Sequence, residues 1–206
     1  MKPTLALVVA LAGTLLLFPH TRLQAEPAGT PVPAAAVLAD APKATWIAEG
    51  RGSRIVYIFI DPNCPSCALL YRNLRTLIEP HDLQLRWIPV AVVNATSLGK
   101  AAAILQAPDR LAALRRNEER YHGETYSGGI EEDIPSTETE QRLRTNEGLL
   151  NKLDIPVVPT MLFANKEDRA VLIQGALSPL ALRKVFATKK PKEKPKGSNS
   201  IDPSKG

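Results

Sequence analysis

Cys64 and Cys67 are the only cysteines in the 206-residue chain, in the order Cys64-Pro65-Ser66-Cys67. Thiols at this spacing can bridge to each other, and either one, as a thiolate, can attack a disulfide elsewhere. The preceding run Ile55-Val56-Tyr57-Ile58-Phe59-Ile60 is β-branched and aromatic and reads as a buried strand. It breaks at Asp61-Pro62-Asn63, and an apolar periodic stretch follows from Ala68 to Ile78. The pair therefore sits at a helix N-terminus, where the first backbone N–H groups lack internal partners and carry about half a positive charge. An anion is favoured there, which makes Cys64, at or just before the first turn, the expected nucleophile. Pro65 suits the first helical position, and Cys67 faces back towards Cys64.

Two plainer readings stand beside redox exchange. Half a zinc site needs further thiolates or imidazoles, and the only histidines are His20, His81 and His122. A structural disulfide closing so short a loop removes little entropy from the unfolded chain. Redox chemistry suits the residue types better, and it calls for no metal and no cofactor.

The elements that must hold the pair follow from patterning. Leu83 to Val93 reads as a second strand, so strand, helix and strand form a parallel βαβ unit with a right-handed crossover. Ser97 to Gln106 and Pro108 to Arg120 are helical in pattern, and Tyr121 to Pro135 is loop. A further helix begins at Ser136 or Thr137, where Thr137 and Glu140 form a capping-box pattern, and runs to about Lys152. Thr160 to Ala164 and Ala170 to Ile173 flank the turn-forming Asn165-Lys166-Glu167-Asp168 and read as a hairpin. Ser178 and Pro179 start a last helix to Ala187, while Thr45 to Gly50 reads as a short helical entry turn.

Composition bounds the rest. With 44% hydrophobic and 23% charged residues the chain is globular, and its net charge of +5 rests on Lys189, Lys190, Lys192, Lys194, Lys196 and Lys205 near the end. The folded part thus carries no cationic excess, and nucleic acid is not an expected partner. Residues 1–25, with Lys2 ahead of the apolar run Leu5 to Phe18, read as a signal peptide cleaved after Ala25 or as an uncleaved anchor. Export puts the thiols in an oxidising compartment, in a bacterium the periplasm. Residues 26–44 read as a flexible Pro/Ala-rich linker, 45–187 as the catalytic domain and 188–206 as a disordered basic tail.

The order of elements, with Val158-Pro159-Thr160 leading into the hairpin, resembles a thioredoxin-like α/β fold with a helical insertion between the βαβ unit and the hairpin. Phe59-Ile60-Asp61-Pro62-Asn63-Cys64-Pro65-Ser66-Cys67, Ala101-Ala102-Ala103-Ile104-Leu105 and the segment from Asn146-Glu147 to Pro159 resemble the DsbG/DsbC family of periplasmic thiol:disulfide interchange proteins. The likeness spans about Trp46 to Phe186. It implies a thiol-disulfide oxidoreductase, with isomerase the first choice among the possible roles. Cys64 is then the attacking cysteine, Cys67 the resolving one and Pro159 the cis-proline beside them. Val158 and Thr160 would frame an extended substrate, since a cis turn leaves the preceding residue's backbone groups pointing outwards. The implied partners are unfolded or misoxidised exported proteins and a membrane redox partner that recycles the dithiol.

Two departures from the pattern matter. Members of that family dimerise through a separate N-terminal domain, whereas about twenty residues separate the leader from Trp46, so a monomer is expected. The position six residues before Cys64, where thioredoxin-type reductants carry a buried acid, is Ile58. A second class of function is a non-enzymatic thioredoxin-fold adaptor of a cell-envelope assembly, with the linker and tail as tethers. Activity of a form lacking both thiols discriminates the two.

Overall fold

A computed structural model describes residues 33–187. Alternation along β2 (Arg54–Ile60) divides the interior into two layers, because successive side chains of a strand point to opposite faces. Val56, Ile58 and Ile60 enter one apolar cluster; Tyr57 and Phe59 enter another. With both faces covered, β2 is the central strand of five, in the order β1 (Ile47–Glu49), β3 (Leu83–Pro89), β2, β4 (Thr160–Ala164) and β5 (Ala170–Gln174). It runs parallel to β3, with Ile58 opposite Trp87, and antiparallel to β4, with Ile58 opposite Met161. β4 in turn pairs antiparallel with β5.

Helix α2 (Pro65–Arg75) connects β2 to β3 and buries Cys67, Ala68, Leu70, Tyr71 and Leu74 against the first face. That layer also takes residues from α3 (Ser97–Gln106), α4 (Arg110–Glu119) and α6 (Pro179–Phe186), including Ile104, Leu114, Leu182 and Phe186. Tyr71 and Trp87 stack across it with ring centroids 5.0 Å apart. The opposite face is covered by Leu149 and Leu150 of α5 (Thr137–Leu150) and by α1 (Ala34–Asp40). Ser178 caps α6 through its hydroxyl, 3.3 Å from the Ala181 N–H, with Pro179 in the first turn as expected. At α5 the cap is Ser136, whose hydroxyl accepts from Thr139 N–H at 3.2 Å, so the Thr137–Glu140 box does not form the cap.

Two expectations change. The linker assigned to residues 26–44 is, from Ala34 on, α1 followed by a single 3₁₀ turn at Ala41–Lys43, with Val37 and Ala41 fully buried. Three consecutive alanines and Val37 form helix readily, and docking against Leu149, Leu153 and Leu162 supplies the stability that seven residues lack alone. The entry turn at Thr45–Gly50 is instead β1 (Ile47–Glu49), an antiparallel edge strand on β3. It is held from outside the segment: Glu49 accepts from Trp87 Nε1 at 3.1 Å and from Arg75 Nε at 3.0 Å. Gly50 then turns the chain with φ +85°. The assignments at residues 1–25 and 188–206, and the linker's first part at 26–32, lie outside the described residues.

Candidate active site

Cys64 is the N-cap of α2, in extended conformation, with Pro65 at the start of the helix. Its Sγ accepts from the backbone N–H of Cys67 at 3.3 Å, so the thiol fills the capping role that Ser or Asp usually takes. On its other side Sγ lies 3.7 Å from the carbonyl oxygen of Val158, to which the thiol donates. Both cysteines are free thiols in this structure. The neighbouring Cys67 thiol, then the N–H groups of Cys67 and Ser66, hold the Cys64 thiol below its ordinary value against the opposing pull of burial and Asp61. Cys67 has no exposed surface, and burial, then the proximity of Cys64 and Glu118, push its thiol well up. The pair is thus split into one thiol disposed to ionise and one disposed to stay protonated.

The loop carrying Cys64 is fixed by two buried polar side chains. Asp61 Oδ1 accepts from Asn63 N–H and from the Ser97 hydroxyl, both at 2.8 Å; Oδ2 accepts from Val92 N–H at 2.7 Å and Val93 N–H at 2.9 Å. Asn63 Nδ2 donates to Asn94 Oδ1 and Thr96 Oγ1, both at 2.8 Å, and its Oδ1 accepts from Gly128 N–H at 3.1 Å. From the loop after α4, the Tyr121 hydroxyl donates to Asn63 O at 3.2 Å. Asn117 Nδ2 donates to Pro62 O at 3.0 Å, and a side chain at Gly128 would overlap both groups of that bond. Lys100, almost wholly buried, closes the ring by donating to Ser127 Oγ at 2.6 Å and Gly128 O at 2.5 Å.

The structure brings Cys64, Cys67, Val158 and Pro159 together and sets the Thr160 side chain apart. The Val158–Pro159 bond is cis, and Val158 faces Cys64 through its carbonyl. Thr160, by contrast, is fully buried, and its hydroxyl donates to Val157 O at 2.6 Å, so its side chain shapes the turn instead of facing a substrate. Val92 and Val93, whose N–H groups bind Asp61, and Val157, next to Val158, are exposed and add apolar surface near the site. The sequence reading missed as parts of the site Asn117 and Glu118, inside a charged run, and also Asp61, Asn63, Lys100 and Tyr121. A signal existed for the first two, since Ala113, Leu114, Asn117 and Glu118 recur at helical spacing and are buried together.

A five-stranded α/β sheet with a Cys-x-x-Cys helix cap facing a cis-proline turn defines a class. The thioredoxin-like domain family model matches residues 41–190, and the chain belongs to that family. Within it, the chain is similar to thiol:disulfide interchange proteins named DsbG. It is 32% identical over 146 residues to that of Pseudomonas aeruginosa, covering 70% of this chain and 56% of the relative. It is 31% identical over 128 residues to that of Escherichia coli, covering 60% and 49%. The chain spans about half the length of these curated relatives. Among solved structures, a periplasmic thioredoxin-like protein from Salmonella enterica serovar Typhimurium superposes with TM-score 0.58 at 18% identity, over 73% of this chain and 94% of that one. Proteus mirabilis ScsC in a transitional conformation gives 0.61 at 17%, over 74% and 77%. At those identities the structures speak to the fold.

Proposed function

We propose that the protein is a thiol-disulfide oxidoreductase of the periplasm that acts on exported proteins, with disulfide isomerisation its main task. The observation that carries the proposal is the placing of Cys64 Sγ between the N–H of Cys67 and the carbonyl of Val158, with Cys67 buried one turn on. Helix-end donors favour the Cys64 thiolate, which attacks a substrate disulfide. A Cys64–substrate bond forms, the substrate disulfide breaks, and one substrate sulfur leaves as a thiolate.

Two exits follow from the mixed disulfide. A second substrate thiolate attacks the substrate sulfur, releasing Cys64 and leaving a rearranged disulfide. Alternatively Cys67 attacks Cys64 Sγ, releasing the substrate thiol and closing the Cys64–Cys67 bridge, which a membrane redox partner must then reopen. Val158 and Pro159 border the substrate strand, with Thr160 supporting the turn from inside. Similarity to the DsbG proteins and the apolar surface of Val92, Val93 and Val157 support unfolded or misoxidised proteins as substrates.

Refolding of a scrambled-disulfide substrate tests the reading, combined with an equilibrium titration of the pair against glutathione. Recovery of native activity without added oxidant supports isomerisation. Net oxidation of reduced substrate with no rescue of scrambled substrate makes the protein an oxidase. An equal biological effect from a form carrying Cys64→Ala and Cys67→Ala removes thiol chemistry altogether.

A further inference from the structure

Glu118 lies near the C-terminal end of α4 with no exposed surface. One of its carboxyl oxygens accepts from Asn117 Nδ2 at 3.0 Å, and the other, Oε2, has no hydrogen-bond partner among the described residues. The same Asn117 amide reaches Pro62 O, so this end of α4 is tied to the loop that carries Cys64; α2, which carries Cys67, packs against α4. The ionisable groups whose charge is felt between them and Glu118 are Asp61 and Cys64 from the loop, Cys67 and Arg72 from α2, and Tyr121 beyond α4. Burial first, then the nearby Cys64 and Asp61, push Glu118 up to about 8 against the pull of Asn117 and Arg72. A half-satisfied buried carboxyl costs stability, which makes it a candidate for a role in the chemistry.

Cys67 has a need that such a group meets. Its sulfur is fully buried, yet every passage through the Cys64–Cys67 bridge adds or removes a proton there. We propose that Glu118 is the internal proton exchanger of Cys67. The proposal rests on the assignment of Cys64 and Cys67 as the exchanging pair. In the oxidising direction a substrate thiolate attacks Cys64 Sγ and forms a mixed disulfide. The Cys64–Cys67 bond breaks with its electron pair on Cys67, and the proton comes from the Glu118 carboxyl, which is then reprotonated from solvent. In the reverse direction the Glu118 carboxylate takes the Cys67 proton. Cys67 attacks Cys64 Sγ, and the substrate leaves as a thiolate.

Glu118→Gln keeps the shape and an acceptor for Asn117 but cannot exchange a proton. The test follows oxidation of a reduced cysteine peptide by the disulfide form of the full chain from pH 5 to pH 9. Loss of a general acid predicts, for the rate referred to the peptide thiolate, a value lower by about 10²-fold near neutral pH and no fall through about 8 where wild type shows one. A Glu118→Gln rate and profile equal to wild type overturn the role of Glu118. A wild-type protein that does not oxidise the peptide at all overturns the cysteine assignment, and the proposal with it. Should Glu118→Gln fail to fold, the carbon resonance of the wild-type Glu118 carboxyl is titrated in the dithiol and disulfide forms. Midpoints that differ between the two forms support proton coupling; equal midpoints overturn it.

Discussion

Cys64 and Cys67 differ in two ways that act together on reactivity. Cys64 has a slight opening to solvent and a thiol held below its ordinary value by Cys67 and the helix-end N–H groups; Cys67 has no opening and a raised thiol. Since only the thiolate is nucleophilic, alkylation of the reduced protein at pH 6 should label Cys64 about tenfold or more faster than Cys67, as read by peptide mass mapping. Equal rates, or faster labelling of Cys67, contradict the assignment. The cysteine pair was legible from two residue types and their spacing after a strand. Glu118 was not, because Arg115-Arg116-Asn117-Glu118-Glu119-Arg120 reads as a solvated helix face until Ala113 and Leu114 one turn earlier are given weight. Its burial has a signed consequence for stability. Below about pH 4.5 the carboxyl is neutral in both folded and unfolded chains; between there and about 8 the unfolded chain gives up a proton that the folded one keeps, so stability falls as pH rises. Glu118→Gln should therefore equal wild type near pH 4 and exceed it by on the order of 3 kcal/mol at pH 7, measured by urea unfolding of the reduced forms. A constant difference across that range refutes the burial of an ionisable acid.

At the level of elements, most strands and helices were legible because β2 carries a continuous apolar run and α2, α3 and α6 carry clear periodicity and start signals. Misreadings arose where a tertiary partner decides the local structure. Pro and Ala around residue 33 suggest a linker, yet Val37 docks into the layer formed by Tyr57, Phe59 and Leu162. Val37→Ala should then cost about 2 kcal/mol in urea unfolding, while Ala36→Ser on the exposed side should stay within about 0.5 kcal/mol. A neutral Val37→Ala would return this segment to a linker. β1 was missed for the same reason: Glu49 is half of its signal, and its partners Trp87 and Arg75 lie far away in sequence. The loop network is likewise a product of topology, since Asn63 draws Asn94, Thr96 and Gly128 from two separate loops. Asn63→Ala leaves the Gly128 N–H without its acceptor and takes a shared donor from Asn94 and Thr96, beside Cys64. It should cost about 2 kcal/mol of stability and slow exchange at Cys64 more than fivefold, followed with a chromogenic disulfide. Wild-type exchange in a destabilised Asn63→Ala would separate the network from the chemistry.

For the molecule as a whole, the antiparallel pairing of β2 with β4 leaves the end of β2 and the cis-proline turn ahead of β4 as neighbours, so the thiol pair and the turn meet at one end of the sheet. Membership of the thioredoxin-like family follows from that arrangement and from the match over residues 41–190. The assignment of roles within the pair is the central claim, and it is tested by trapping in cells that export the full chain. With Cys67→Ala the attacking thiol remains and the resolving one is gone, so mixed disulfides with exported proteins should accumulate as reducible bands on non-reducing gels. Cys64→Ala should give few or none. Abundant trapped species with Cys64→Ala and none with Cys67→Ala would contradict the account, because Cys67, buried and protonated, would then be the nucleophile.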